Sequence, residues 1–281
     1  MKKFYLIIAL IVSFVLNACS SEEYSAEKLY WRANQQYNRV LSNIDKAKPV
    51  DFQKVIVAYR EIIVKYPNWQ NTAQAYFNIS RLYVSQKKYD MARSELEKMK
   101  SNFYRQTDIC ANAEVVIALT YEEEGRWDKA LEYLDIVEKE YTKTYSAFLV
   151  PIYKMRHYKK TGEEDLRQKT YKDAILKYKE MISQSPDTIA ALAAVDFSLA
   201  AFAELRDKEE ALAYLDGLIK EYPSSPIQAK ALFSKSIIYR RSGQPDLAIE
   251  SLEEIVKKFV NTELAKLAKE QINEIKKEKD N

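Results

Sequence analysis

The chain has 281 residues, 47% hydrophobic and 30% charged, a balance that excludes a disordered or collagen-like polymer. Four glycines and seven prolines are too few for a loop-rich β protein, and long runs of Ala, Leu, Glu and Lys favour helix. Basic and acidic residues number 44 and 41, so there is no cationic excess of the kind nucleic-acid binding requires.

The first stretch is a short positive start, Met1–Lys2–Lys3, followed by the 13-residue apolar run Phe4–Leu16. That run is too short for a comfortable membrane span and fits a signal-peptide core. It ends in Leu16–Asn17–Ala18–Cys19, which resembles the lipobox of bacterial lipoproteins. The resemblance implies that residues 1–18 are removed by signal peptidase II. Cys19 would then become the mature N-terminus, carrying a diacylglyceryl group and an N-linked acyl chain such as palmitate. More than one chain, at about 0.8 kcal/mol per buried methylene, gives stable attachment. No cofactor is expected beyond this covalent lipid. Loss of Lys2 and Lys3 from the 44 basic residues leaves 42 against 41 acidic ones. Ser20 stands where an aspartate retains enterobacterial lipoproteins in the inner membrane, so the resemblance points to the outer membrane, facing the periplasm. Residues 19–25 form the lipidated cysteine and a polar tether.

Helical periodicity then predicts Ala26–Arg39 paired with Phe52–Tyr66, with an insertion near Asp45–Val50 whose Pro49 favours a loop. Thr72–Gln86 pairs with Tyr89–Phe103, and Ile109–Glu124 with Trp127–Tyr141 across Gly125. Tyr145–Lys160 contains Pro151, which a helix accepts in its first turn. Seven extra residues, Glu163–Lys169, are placed in the turn after Gly162, ahead of Lys172–Ser183. Ile189–Glu204 is alanine-rich and reads as a tightly packed mid-array helix or, more sharply, as a ligand slot. Pro226–Arg241 and Asp246–Phe259 make the last pair. Residues 263–281 form a one-sided cap helix, with Leu264, Leu267, Ile272 and Ile275 as its stripe, and a charged tail.

These pairs repeat. The small-residue column Val55, Ala92, Ala130, Ala174, Ala211 and Ala248 has spacings of 37, 38, 44, 37 and 37. Removing Glu163–Lys169 restores the period and brings Tyr158 into the aromatic column of Tyr83, Tyr121, Phe202 and Tyr239. A second column holds Tyr66, Phe103, Tyr141, Ser185, Tyr222 and Phe259, aromatic in five of six places, with Pro67, Pro186 and Pro223 following three of them. Gly125–Arg126–Trp127–Asp128–Lys129–Ala130 and Lys87–Lys88–Tyr89–Asp90–Met91–Ala92 resemble the tetratricopeptide repeat. The resemblance covers residues 26–262 and implies an all-α, right-handed superhelix of about six hairpins, closed by the cap helix.

Enzyme motifs are absent: no phosphate-cradling Gly-rich loop, no Gly-x-Ser-x-Gly and no His-Glu-x-x-His. The single histidine, His157, excludes a histidine-based metal cluster, and no metal site is expected. Cys110 reads as a small core residue. No enzymatic role is expected. What remains is a binding surface.

In the tetratricopeptide family the first helix of each hairpin lines the concave groove. Carried onto this chain, that rule places Phe77, Arg81, Arg156, Lys160, Phe233, Arg240 and Arg241 at the groove, with Gln74, Asn112, Val115, Lys159 and Asp196 nearby. The cations would receive carboxylates of an extended peptide and the phenylalanines would anchor its apolar side chains. A lipid-anchored array with Tyr-Pro endings resembles the BamD-type outer-membrane assembly lipoproteins, which implies docking to a β-barrel insertase and its precursors. It departs from them in having six repeats where five are usual, and a short insertion in the fourth repeat where theirs is long and in the third. Rival readings are a scaffold for cell-wall, Tol-Pal or pilus machinery, and a solute-binding lipoprotein with an apolar slot.

Overall fold

The computed structural model describes the backbone of residues 2–184, 192–197, 199 and 208–280, with side chains from residue 22 onward in that set except those of 182, 184 and 280. The helices are α1 (Lys2–Ser42), α2 (Pro49–Lys65), α3 (Thr72–Ser85), α4 (Tyr89–Asn102), α5 (Thr107–Glu123) and α6 (Trp127–Glu140). They continue with α7 (Tyr145–Thr161), α8 (Glu164–Gln184), a helical stretch over 192–197, α9 (Lys208–Glu221), α10 (Pro226–Arg241), α11 (Pro245–Lys258) and α12 (Glu263–Asp280). No strand occurs among the described residues. This is the all-α architecture of paired helices with a final helix.

One turn motif, used repeatedly, explains why the helices pair. The carbonyls of Tyr83, Tyr121, Tyr158 and Tyr239 each accept the N–H of the residue five further on, Lys88, Arg126, Glu163 and Gln244, at 2.9, 2.8, 2.8 and 2.9 Å. The residue before each donor is left-handed: Lys87 at φ +56°, Gly125 at +80°, Gly162 at +78° and Gly243 at +70°. This is the Schellman arrangement, which satisfies the last carbonyls of one helix while reversing the chain. The aromatic column therefore marks a fixed position three residues before the helix cap. Three of the four turns use glycine, which has no Cβ to clash at positive φ.

The opposite turn is also built on a repeated device. Tyr66, Phe103, Tyr141, Tyr222 and Phe259 each close the preceding helix with a main-chain bond, Tyr66 N–H to the Ile62 carbonyl at 2.8 Å for example. Hydroxyls at the start of the next helix then donate back: Thr144 to Tyr141, Ser225 to Tyr222 and Thr262 to Phe259 at 2.8, 2.8 and 2.7 Å. The same oxygens accept N–H groups of Ala147, Gln228 and Ala265 as N-caps.

The described residues divide into two compact units, Met1–Ile136 and Val137–Asn281, the division falling within α6. In the first, α2 packs on α3 and α4 on α5. Its cores centre on Val55, Ile56, Tyr59, Ile79 and Leu82, and on Leu96, Met99, Ala113 and Ile117. In the second, one core gathers Phe148, Met155, Tyr178, Phe197 and Leu215, and another joins Leu232, Leu252, Ile255 and Ile272.

Four details differ from the sequence reading. The first helix does not begin at Ala26: α1 continues back through the segment read as a tether. Pro49 does not sit in a loop but opens α2 at its first position, where the missing N–H has no partner to lose. Residues 164–169 are not turn but the first turns of α8, which runs for 21 residues. Seven residues are nearly two helical turns, so the insertion lengthens α8 while rotating its apolar face by only about 20°. Pro151 lies inside α7 rather than in its first turn. Proline there removes the main-chain donor that would meet the Ala147 carbonyl, and the neighbouring carbonyl of Phe148 accepts the hydroxyl of Tyr178. The alanine-rich stretch Ile189–Glu204 lies mostly outside the described residues.

Candidate functional site

In the first unit the first-helix face is pinned from behind by a buried polar network. Tyr59 of α2 is wholly buried, and its hydroxyl donates to the Asn34 amide oxygen of α1. Asn78 of α3 donates to the Tyr59 oxygen at 2.9 Å and accepts from Gln74 at 3.0 Å. Burial raises the Tyr59 hydroxyl well above the usual phenol range, so it is a neutral donor at every physiological pH. Gln74 carries the network to the exposed side of α3.

Beside it lies an open hollow of about 280 Å³, lined by Leu41 of α1, by Arg81, Val84 and Ser85 of α3, and by Val116, Leu119, Thr120 and Glu123 of α5. Its hydroxyls are turned into the backbone: Ser85 donates to the Leu82 carbonyl at 2.9 Å and Thr120 to that of Ile117 at 2.7 Å. The floor that remains is apolar, with Arg81 and Glu123 as its charged groups. Among the described residues no ion pair joins those two. α5 can line a hollow on one side because it is apolar around most of its circumference, burying Cys110, Ala113, Ile117 and Ala118 elsewhere.

The second unit repeats this geometry with different chemistry. A hollow of about 500 Å³ is lined by Phe233, Ser236, Ile237, Arg240 and Arg241 of α10, Leu252 of α11, and Gln271, Ile275 and Glu278 of α12. Counted from the aromatic column, Ile237, Arg240 and Arg241 take the places of Arg81, Val84 and Ser85. Extending the 37-residue period, Gln271, Ile275 and Glu278 take those of Val116, Thr120 and Glu123. Here the arginine stands one turn closer to the helix end, and its guanidinium is engaged. Arg240 donates through Nε to Glu278 at 3.2 Å, through Nη2 to the other oxygen of the same carboxylate, and through Nη1 to Gln271 at 3.1 Å. The final helix thus supplies the carboxylate that a peptide was expected to bring.

Elsewhere on this unit, Tyr145 at the start of α7 donates to the Asp196 carboxylate, and Lys230 of α10 reaches the same carboxylate at 2.6 Å. Burial and that carboxylate both raise the Tyr145 hydroxyl. Asp196 is consequently a strut rather than an open acid.

The predicted groove residues separate accordingly. Phe233, Arg240 and Arg241 share the hollow of the second unit, and Arg81 lines that of the first. Phe77 is half-buried against the core of Tyr76, Leu96 and Ile117 and lines neither hollow. Arg156 and Lys160 stand a turn apart on the exposed side of α7, lining neither hollow. Val115 is buried in the core. Cys19 lies among residues whose side chains are not described. Cys110 is buried as expected, with its thiol 3.4 Å from the Phe103 carbonyl and its ionisation disfavoured by burial. Of the apolar lining, Val84 and Leu119 carry no sequence signal of their own, and Val116, at helical spacing on α5, looks like core. A second apolar stripe on helices that already possess one is the signal that distinguishes them.

Three tetratricopeptide repeat models match the sequence, over residues 73–100, 115–144 and 199–261. No curated protein matches it. Similar solved structures include yeast Tom70, with 15% identity, 88% of this chain and 47% of that chain covered, and a TM-score of 0.47. BtubC from P. vanneervenii has 11% identity, coverages of 80% and 90%, and a TM-score of 0.41. PilF of Pseudomonas aeruginosa has 12% identity, coverages of 88% and 99%, and a TM-score of 0.31. The chain spans about half the length of the Tom70 chain. The repeat is a non-catalytic interaction module, in keeping with the sequence reading of no enzymatic role. Over the residues they match, the repeat models, together with the repeated turns, identify tetratricopeptide repeats in an all-α array of the kind that serves as a protein-interaction scaffold.

Proposed function

We propose that this scaffold is a lipid-anchored outer-membrane lipoprotein, facing the periplasm through Cys19, that receives extended segments of envelope proteins in the manner of BamD-type assembly factors. The lipobox supports the anchor. The observation that carries the binding reading is the hollow at Arg81. At about 280 Å³ it is smaller than the roughly 300–1,000 Å³ typical of small-molecule pockets and suits an apolar side chain of a peptide. A carboxylate in the same segment would meet the Arg81 guanidinium in a charge-assisted bond. Binding would therefore read an apolar–acidic pattern in an extended chain, as strand and peptide grooves do.

The test is to tag the C-terminus, crosslink in cells, isolate membranes and identify what is recovered. Recovery of a β-barrel assembly protein, lost when Leu119→Glu fills the hollow with charge, supports the reading. Recovery of cell-wall, Tol-Pal or pilus components moves the scaffold to that machinery. Presence of the Cys19→Ser chain in the same lipidated, outer-membrane fraction contradicts the anchor.

A further inference from the structure

The outward face of α1 carries two large aromatic side chains that are mostly exposed. Tyr24 is 64% exposed and Trp31 61%. They are seven residues apart, so they lie on one line of the helix. The core-facing residues of the same helix are Ala26, Ala33, Tyr37 and Val40, on the opposite side. Glu27 and Lys28, both exposed, each sit one turn from the two aromatics and flank them on either side. Beyond Trp31 the same line continues into the amide Gln35 and then Asn38, so the apolar part of the face ends there.

We infer that this face docks on the lipid bilayer, with α1 lying along the membrane surface rather than standing out from it. The inference rests on the lipid anchor proposed above. α1 is continuous from Lys2 to Ser42, so position 19 and the two aromatics belong to one rod. Along that rod Tyr24 is about 8 Å and Trp31 about 18 Å from position 19 at 1.5 Å per residue. The interfacial layer on each side of a bilayer is only about 5–8 Å deep, from the difference between the hydrocarbon core and the full thickness. An upright α1 would hold Trp31 clear of the lipid. A recumbent α1 places both rings at headgroup level, where Trp and Tyr are favoured because one end is apolar and the other seeks water. Lys28 can then extend its stem over the same surface and set its ammonium against lipid phosphate. The consequence is orientational: the first unit is held against the membrane by its first helix.

The experiment uses the mature lipidated chain with Trp69→Phe and Trp127→Phe, leaving Trp31 as the only tryptophan of three. It is reconstituted on vesicles of phosphatidylethanolamine and phosphatidylglycerol, some with acyl chains brominated near the headgroup. Circular dichroism with a thermal melt confirms that the variant is folded. Flotation of the protein with vesicles reports the anchor; Trp31 emission reports the docking. The expected result is flotation, a blue-shifted Trp31 emission and loss of most of its intensity in the brominated vesicles. Flotation with red, unquenched Trp31 emission overturns the docking and leaves the anchor standing. Emission shielded from aqueous iodide but untouched by bromine, with a doubled mass in detergent, places a second copy on this face and also overturns it. Failure to float removes the anchor and the docking together.

Discussion

The hollows of the two units occupy the same six repeat positions, yet one is open and the other is latched. In the first unit the positions are held by Arg81, Val84, Ser85, Val116, Thr120 and Glu123; in the second by Ile237, Arg240, Arg241, Gln271, Ile275 and Glu278. Moving arginine by three residues brings its fork against the glutamate of the next first-helix. The backbone of the repeat therefore fixes where a hollow lies, and the column of Val84 and Arg240 decides whether an arginine is tied to the next helix; Arg241 beside it joins no ion pair among the described residues. Of these two hollows, the one whose arginine is not tied to a carboxylate of the next helix is in the first unit.

The comparison breaks most sharply at the level of binding. Leu119→Glu is expected to reduce partner recovery at least tenfold, about 1.4 kcal/mol, with the melting temperature little changed because Leu119 is only partly buried. The double change Arg81→Val with Val84→Arg transplants the latch. It should bring an arginine onto Glu123 and lower recovery by a similar factor, read by crosslinking, while Arg240→Ala should leave recovery through the first unit unchanged.

Stability separates the units next. Tyr59→Phe removes the hydroxyl that Asn34 and Asn78 share and leaves their buried amides short of a partner, at a cost of about 1–3 kcal/mol in urea unfolding. The same hydroxyl gives a signed pH dependence. Its folded ionisation is raised by burial, so its contribution is complete below the ordinary tyrosine pKa of about 10 and is lost as pH rises above that value. Tyr59→Phe should therefore flatten the alkaline fall in stability. Lys87→Gly relieves a left-handed lysine and is expected to stabilise by about 0.5–1 kcal/mol, measured the same way. Arg240→Ala is the smallest: Glu278 is largely exposed, so the loss should be below about 1 kcal/mol, with faster hydrogen exchange at the end of α12 as its visible sign.

Much of the fold was legible because the repeat columns are backbone requirements. Tyr83, Tyr121, Tyr158 and Tyr239 mark Schellman turns, and Gly125, Gly162 and Gly243 sit where φ is positive. Period alone does not tell a longer turn from a longer helix: Glu163–Lys169 fits a turn by spacing, yet seven residues also extend α8 nearly in phase. Pro49 is ambiguous for a related reason: proline both ends and begins helices, and only the N-cap distinguishes them. The groove was legible as a face and illegible as a site. Charge drew attention to Arg156, Lys160 and Arg240, whereas availability depends on partners distant in sequence, such as Glu278 for Arg240. Val84 and Leu119 escape notice because an apolar residue on a tetratricopeptide helix is ordinarily core.

The most direct measurement places a photoreactive amino acid at position 119 in one chain and at position 237 in another, and irradiates cells carrying each. A partner adduct at 119, with little at 237 until Arg240→Ala opens the second hollow, is the predicted result. Equal adducts at both positions, or adducts at 237 alone, would contradict the claim that the first unit holds the working groove.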